Sequence, residues 1–461
     1  MMSFPKDFIW GAATASYQIE GAAHEDGRGA SIWDTFSKTP GKVENGDTGD
    51  TACDHYHRYA EDIELMREIG IDSYRLSIAW PRLFPDGGTT RNEPGFAFYN
   101  RLIDALIAAG ITPAVTLYHW DLPQPLEDAG GWANRATVDA FEHYTRACAE
   151  AFGDRVKLWI TINEPWCVSW LGYMSGVHAP GRQELPAAIA AAHHTALAHG
   201  RATRVIKQVV SDCQVGITLN MTNYIVPVDA DAEAIKAADL LDAHINRWWI
   251  DALTDGQYPV VLQEEYGDML SSVVLSGDAE ILKTEPDFLG INYYSDSFVS
   301  TAREVDGALR DGGLFPFAER ADTRVPEHLQ STLTDMEWPV TPEGLGVLAM
   351  RVHTDWPAIP ALMITENGAA YDDEPDANGE VNDTRRVAYL TNHLASLQSA
   401  IAQGAPVVAY YAWSLLDNFE WAYGYAKRFG MIHVNFHTQK RTLKRSAHTY
   451  KQIIESDRVP V

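Results

Sequence analysis

Two glutamates stand where short apolar runs end, Glu164 in TINEP (161–165) and Glu366 in ITENG (364–368). Polar and aromatic residues end the other runs in the same way: Gln18 and Glu20 soon after the first, Arg75 inside the second, His119 and Trp120 at the third, Asn163 beside Glu164, Asn292 and Tyr294 at the sixth, and Trp413 at the eighth, with Glu420 and Trp421 just beyond. Two carboxyl groups on either side of a glycosidic bond are the equipment for hydrolysing it, one as proton donor and one as nucleophile or base. A sugar presents many hydroxyls, each needing a partner once buried, so Gln, His, Asn and Glu beside flat Trp faces fit the same chemistry. Each residue alone has a plainer use. A strand-end Glu caps a helix or ties down a loop, a lone His is a satisfied core histidine, and a lone Trp is packing; only the constellation favours a site.

What would bring these residues together is the order of the elements. Eight β-branched or aromatic runs, at 8–11, 73–80, 112–120, 156–163, 214–221, 287–294, 361–366 and 406–414, alternate with longer amphipathic stretches. LWITIN and ALMIT are apolar on both faces, as strands buried between a barrel interior and an outer helix layer are. The stretch 57–70 puts Tyr59, Ile63, Met66 and Ile69 near one helical face and ends on Gly70; 96–110 repeats the device with Leu102, Leu106, Ile107 and Gly110. Stretches 185–210 and 231–253 read as longer helices, and 385–404 precedes the eighth strand. Eight β-α units predict an α/β fold, a single (β/α)8 TIM barrel spanning residues 1–461 as one catalytic domain, with functional groups at the C-terminal ends of its strands. About 250 residues suffice for such a barrel, so about 200 belong to long βα loops. The clearest insertion is 295–346, whose Phe315, Phe317 and Trp338 suggest a binding role.

The balance of 36 Lys+Arg against 63 Asp+Glu gives a formal charge of −27. A chain this acidic repels nucleic acid and anionic membrane surfaces. Four scattered cysteines form no disulfide or zinc pattern and fit a reducing cytoplasm; no signal peptide and no run of about 18 apolar residues is legible. His55-x-His57 and His193-His194 lack a third ligand at a recognisable spacing and read as solvated helix faces, so neither a metal nor any other cofactor is expected.

TINEP, ITENG and FIWGAATASYQIEG (8–21) resemble the acid/base, nucleophile and N-terminal motifs of glycoside hydrolase family 1, the β-glucosidase family, and the resemblance runs from about residue 4 to the final helix. It implies that Glu164 is the acid/base and Glu366 the nucleophile, with Arg75 and Tyr294 as partners of the nucleophile. It further implies that Gln18, His119, Asn163, Glu420 and Trp421 hold hydroxyls of the first sugar over the Trp413 platform, with Trp120, Asn292 and Phe429 as further substrate contacts. Trp338 and His178 are implied on the leaving-group side. The resulting expectation is a retaining β-glucosidase acting on small glycosides such as cellobiose or aryl glucosides, with a homo-oligomer left open as its assembly. β-Galactosidase or β-fucosidase specificity is the nearest alternative, and a non-catalytic sugar-binding barrel a remote one. A carboxylate at Glu420 would repel a phosphate dianion, which points to unphosphorylated sugars, with Lys427 and Arg428 as the residues that could argue otherwise.

Overall fold

The computed structural model describes residues 3–301 and 321–460. Eight parallel strands close into a barrel: β1 (Ile9–Ala13), β2 (Ser73–Ser77), β3 (Thr112–Tyr118), β4 (Leu158–Asn163), β5 (Gln214–Asn220), β6 (Phe288–Asn292), β7 (Leu362–Asn367) and β8 (Val407–Trp413). Each pairs with its neighbours in chain order, and β8 returns to β1 with Trp413 opposite Ala13. All eight expected runs therefore form strands of one barrel, each trimmed or shifted by a few residues. The second is cut short because a helical turn, Trp80–Leu83, begins where the run still reads as apolar.

The two-sided apolar strands feed two cores. In β4, Leu158 and Ile160 join a cluster with Ala13, Ala114, Phe288, Met363, Tyr411 and Trp413, whereas Trp159 and Ile162 belong to the larger cluster shared with the helices. Alternation along the strand sends Leu158 and Ile160 to one face and Trp159 to the other, and Ile162 departs from it where the register with β5 shifts beyond Ile160. Small residues make room for large ones on the neighbouring strand: a Cβ on Gly11 would lie within 2.5 Å of the ring of Tyr411, its register partner on β8.

The outer layer includes α1 (His55–Ile69), α2 (Glu93–Ala108), α3 (Ala136–Phe152), α4 (Leu185–Val209), α5 (Ala232–Asp242), α6 (Trp248–Asp255), α7 (Pro342–Asp355), α8 (Thr384–Ala402) and α9 (Arg445–Ser456). Gly70 and Gly110 take left-handed conformations, φ +87° and +78°, just past α1 and α2, as their positions require. The expected faces need two corrections. Tyr59 is only half-buried, and Ile107 of α2 points outward at 43% exposure, its place on the inner face being taken by Ile103.

The stretch 231–253 is not one helix. It passes from α5 through a π-helical segment, Ala243–Arg247, into α6, and a second π-helical segment, Cys167–Ser175, follows β4. The extra residue per turn cannot be read from hydrophobic spacing, and such widened turns gather at functional sites. In the long insertion, Ser297–Thr301 pairs antiparallel with Ala321–Thr323, and α7 begins at Pro342, before the expected end of the loop. Phe315 and Phe317 lie outside the described residues.

Candidate active site

Glu164 and Glu366 enter one cavity of about 410 Å³ at the C-terminal mouth of the barrel. Their strands are irregular at that point. The pairing of β4 with β5 shifts register between Ile160 and Asn163, and that of β7 with β6 between Ile364 and Glu366. Glu164 itself has φ +47°, a left-handed conformation that is costly for a residue with a Cβ and that typically persists where function holds it. Trp120 (φ +76°) and Trp421 (φ +48°) share this feature on the same wall.

The two carboxyl groups have unequal surroundings. Arg75 Nη1 donates to Glu366 Oε1 at 2.7 Å, and the Tyr294 hydroxyl donates to Glu366 Oε2 at 2.6 Å. Among the described residues Glu164 has no cation in hydrogen-bond contact. Asn292 Nδ2 donates to its Oε1 at 2.7 Å and the Cys167 thiol to its Oε2 at 3.2 Å. Burial, followed by the charge of Glu366, pushes Glu164 up to about 7. Burial also raises Glu366, while Arg75 and Tyr294 pull it back. The pair therefore releases its first proton from Glu366, which has a cation to lean on, and holds the second on Glu164.

A hydrogen-bond lattice fixes this arrangement. Arg75 Nη2 donates to Asn163 Oδ1 at 2.6 Å, Asn292 Nδ2 reaches the same oxygen at 3.1 Å, and the Thr365 hydroxyl donates to Asn292 Oδ1 at 2.8 Å. Asn163 Nδ2 lies 3.1 Å from His119 Nε2, which makes that ring nitrogen the acceptor and leaves the proton on Nδ1. Burial, with Arg75 nearby, holds the His119 imidazole well below its usual range and therefore neutral.

His119, Trp120, His178, Asn292, Tyr294, Trp338, Trp413, Glu420, Trp421 and Phe429 all line the cavity beside the two glutamates. Gln18, Arg75 and Asn163 are fully buried next to these residues and are not part of its wall. Among the described residues Asn163 Nδ2 donates one of its two hydrogens, to His119. Three atoms expected to meet sugar hydroxyls, Gln18 Oε1, His119 Nδ1 and Glu420 Oε2, are buried with no hydrogen-bond partner among the described residues. The His119 ring lies nearly parallel to Trp413 and Trp421, at 6.0 and 5.9 Å.

The segment carrying Glu420, Trp421 and Phe429 is anchored from below. Asp417 accepts from Lys444 Nζ at 2.8 Å, Arg428 Nη1 at 2.9 Å and the Gly430 amide at 2.9 Å. Arg428 is thus committed to Asp417, Lys427 donates to the Asp335 carbonyl, and neither lines the cavity.

Several expectations change. Burial and the charges of Glu366 and Glu164 push Glu420 up to about 8, so the carboxyl retains its proton at neutral pH. Glu420 therefore offers no charge against a phosphate, and among the described residues no Lys or Arg lines the cavity. Glu20 does not face the site; it pairs with Arg82 at 2.9 Å and accepts from Tyr99. His55, His193 and His194 are buried, not solvated: His55 contacts Asp62 at 2.7 Å, and His193 contacts Tyr258 and Asp278 at 2.7 and 2.9 Å. Of those four histidines only His57 is on the surface. Among the described residues no group of three or more His, Cys, Asp or Glu is arranged to hold a metal ion.

Compared with known proteins, the chain matches Glycosyl hydrolase family 1 over residues 1–459. The chain belongs to that family. It is 46% identical to Beta-glucosidase A of Acetivibrio thermocellus over 459 residues, covering 99% of each chain, and 43% identical to the 1,4-beta-D-glucan glucohydrolase of Thermotoga neapolitana over 458 residues, again 99% of each. Its fold superposes on the beta-glucosidase from Thermotoga maritima in complex with glucoimidazole with a TM-score of 0.91, at 42% identity and 99% coverage of both chains.

Part of this family 1 cavity was not foreseen from sequence. Cys167 and Leu171 reach it from the π-helical segment after β4, Ile245 from the other π-helical segment, Tyr224 from a two-residue strand, Tyr423 from a 3-10 turn, and Met221 and Met336 from loops. Only Cys167 carries a sequence signal, its position three residues after Glu164. The others are aliphatic, Met or Tyr residues outside the barrel strands and resemble ordinary packing.

Proposed function

We propose that the protein is a retaining β-glycosidase, a β-glucosidase that removes the terminal non-reducing glucosyl unit from small β-glucosides. The observation that carries this reading is the asymmetry of the two glutamates. Glu366, beside Arg75 and Tyr294, attacks the anomeric carbon as a carboxylate while the bond to the leaving oxygen breaks, and Glu164 gives that oxygen its proton. Once Glu366 is an ester its charge is gone, and with it much of the repulsion that kept Glu164 protonated. Glu164, now ionised, takes a proton from water as the water attacks the same carbon and releases Glu366. Two inversions restore the original configuration.

Names of the relatives support glucose as the sugar and short β-glucans as natural substrates. Trp413 is the platform under the first sugar, and Gln18, His119, Asn163, Glu420 and Trp421 pair with its hydroxyls. Four buried, unpaired cysteines support a reducing, cytoplasmic setting. No helix among the described residues is long and apolar enough to cross a membrane.

NMR observation of the first-formed sugar tests the mechanism. The β anomer is expected, and initial α product would refute double displacement. Glu164→Ala should still form the glycosyl-enzyme from a 2,4-dinitrophenyl glucoside, which needs no proton, and fail with an alkyl glucoside.

A further inference from the structure

Cys167 is the first residue of the π-helical segment that follows β4, and it stands on the cavity wall against Glu164. Its Sγ is 3.2 Å from Glu164 Oε2, while Oε1 accepts the fixed amide N–H of Asn292 at 2.7 Å. These two neighbours differ in kind. The Asn292 amide can only donate toward Oε1, so a proton on Oε1 aimed that way would meet another proton. A thiol is a weak donor on a freely rotating S–H bond and also a weak acceptor. It can donate to Oε2 when Glu164 is ionised and turn its hydrogen away when Oε2 is protonated.

We infer that Cys167 is a positioning residue for proton transfer, holding Glu164 Oε2 as the oxygen that gives its proton to the leaving group and recovers one from water. This rests on Glu164 acting as the acid/base. The balance is simple: the Oε2–H bond breaks as the leaving oxygen gains the proton, and the S–H hydrogen rotates toward Oε2 without leaving sulfur. Burial and the adjacent Glu164 keep the thiol well above its ordinary range, so the sulfur stays protonated through the cycle. The titratable and charged groups facing Glu164 are Glu366 on β7, Arg75 on β2 and Cys167; Tyr294 after β6 and Glu420 after β8 lie on the same cavity wall. Of these, Cys167 alone donates to Oε2.

The test uses the full-length Cys167→Ala and Cys167→Ser variants, with thermal unfolding as a check on folding. The pH profile of kcat/KM is measured with an alkyl glucoside, whose leaving oxygen needs a proton. Alanine removes the donor that favours the carboxylate and should move the alkaline limb upward, by about 0.3 to 1 pH unit; serine, a stronger donor, should move it downward. The acidic limb should stay in place in both. A role in packing alone would alter kcat or stability without moving the alkaline limb in opposite directions. Alkaline limbs that coincide with that of the parent protein overturn the inference. If the serine variant does not fold, alanine decides by itself: an upward shift supports the inference and an unmoved limb overturns it. Glu164→Gln, run alongside, separates the two readings. If it leaves alkyl-glucoside turnover intact, the acid/base assignment fails and not merely the part given to Cys167.

Discussion

Replacing Tyr294 with Phe removes one hydrogen bond and little else, because the ring that packs near Trp338 (5.3 Å) and Phe429 (6.0 Å) is kept. The lost bond is the 2.6 Å donation to Glu366 Oε2. A hydrogen bond to a charged group contributes about 1.5–3 kcal/mol, and 1.36 kcal/mol corresponds to about one pKa unit. Arg75 still holds Oε1, and Tyr294 stands on the cavity wall where water can replace its hydroxyl, so the lower end applies: about one unit. The sign follows from which form the bond favours. Tyr294 donates to the carboxylate, so without it Glu366 binds its proton more tightly and its ionisation moves to higher pH. The alkaline limb belongs to Glu164 losing its proton beside an already charged Glu366, and it should not move. The profile of kcat/KM for an aryl glucoside should therefore narrow from the acid side alone, with about a tenfold loss one unit below the original limb. A uniform loss across pH, with both limbs in place, would refute the claim that Tyr294 acts through the charge of Glu366.

Glu420→Gln should stabilise the fold at alkaline pH. Glu420 is pushed up to about 8 by burial and its acidic neighbours. Being raised, it contributes most below its unfolded value of about 4.3, and that contribution is lost as pH rises toward 8. Glutamine does not titrate, so calorimetry should show a Tm advantage of one to a few degrees at pH 8 that vanishes at pH 4.5; an equal difference at both would mean that Glu420 does not titrate between them. Lys444→Met removes the cation bridging Asp417 (2.8 Å) and Asp373 (2.9 Å). It should cost about 3–5 kcal/mol in denaturant unfolding, with KM raised because the Glu420 segment loses its anchor. Gly11→Ala should destabilise by about 1–3 kcal/mol through overpacking against Tyr411, read from the shift of the unfolding midpoint.

The barrel was legible because its signals are periodic. Apolar runs such as LWITIN face both ways, and glycines such as Gly70 sit where a helix must end, so strand number and helix caps follow from residue type. The widened turns were not. Ala243–Arg247 continues the apolar pattern of α5, and nothing in the spacing says that a turn gains a residue. Histidine polarity also misled: His193 reads as a surface group until Tyr258 and Asp278, 65 and 85 residues away, supply its partners. For Glu420 the sequence provides a carboxyl, but its protonation depends on burial and then on two other carboxyl groups, both supplied only by the fold.

The strand ends show why the residues carrying the chemistry break local rules. Adjacent residues of a regular strand point to opposite faces, so Asn163 and Glu164 could not both look into the barrel mouth. Yet Asn292 Nδ2 reaches both, Asn163 Oδ1 at 3.1 Å and Glu164 Oε1 at 2.7 Å. The register shift before Asn163 and the left-handed turn at Glu164 make this possible. The same device recurs on β7, where the shift between Ile364 and Glu366 lets Thr365 bond Asn292 Oδ1 while Glu366 meets Arg75 and Tyr294. A left-handed residue with a Cβ costs about 1–2 kcal/mol. One amide, Asn292, ties together the lattice behind both glutamates, and it can do so only because two strands stop being regular where their carboxyl groups begin.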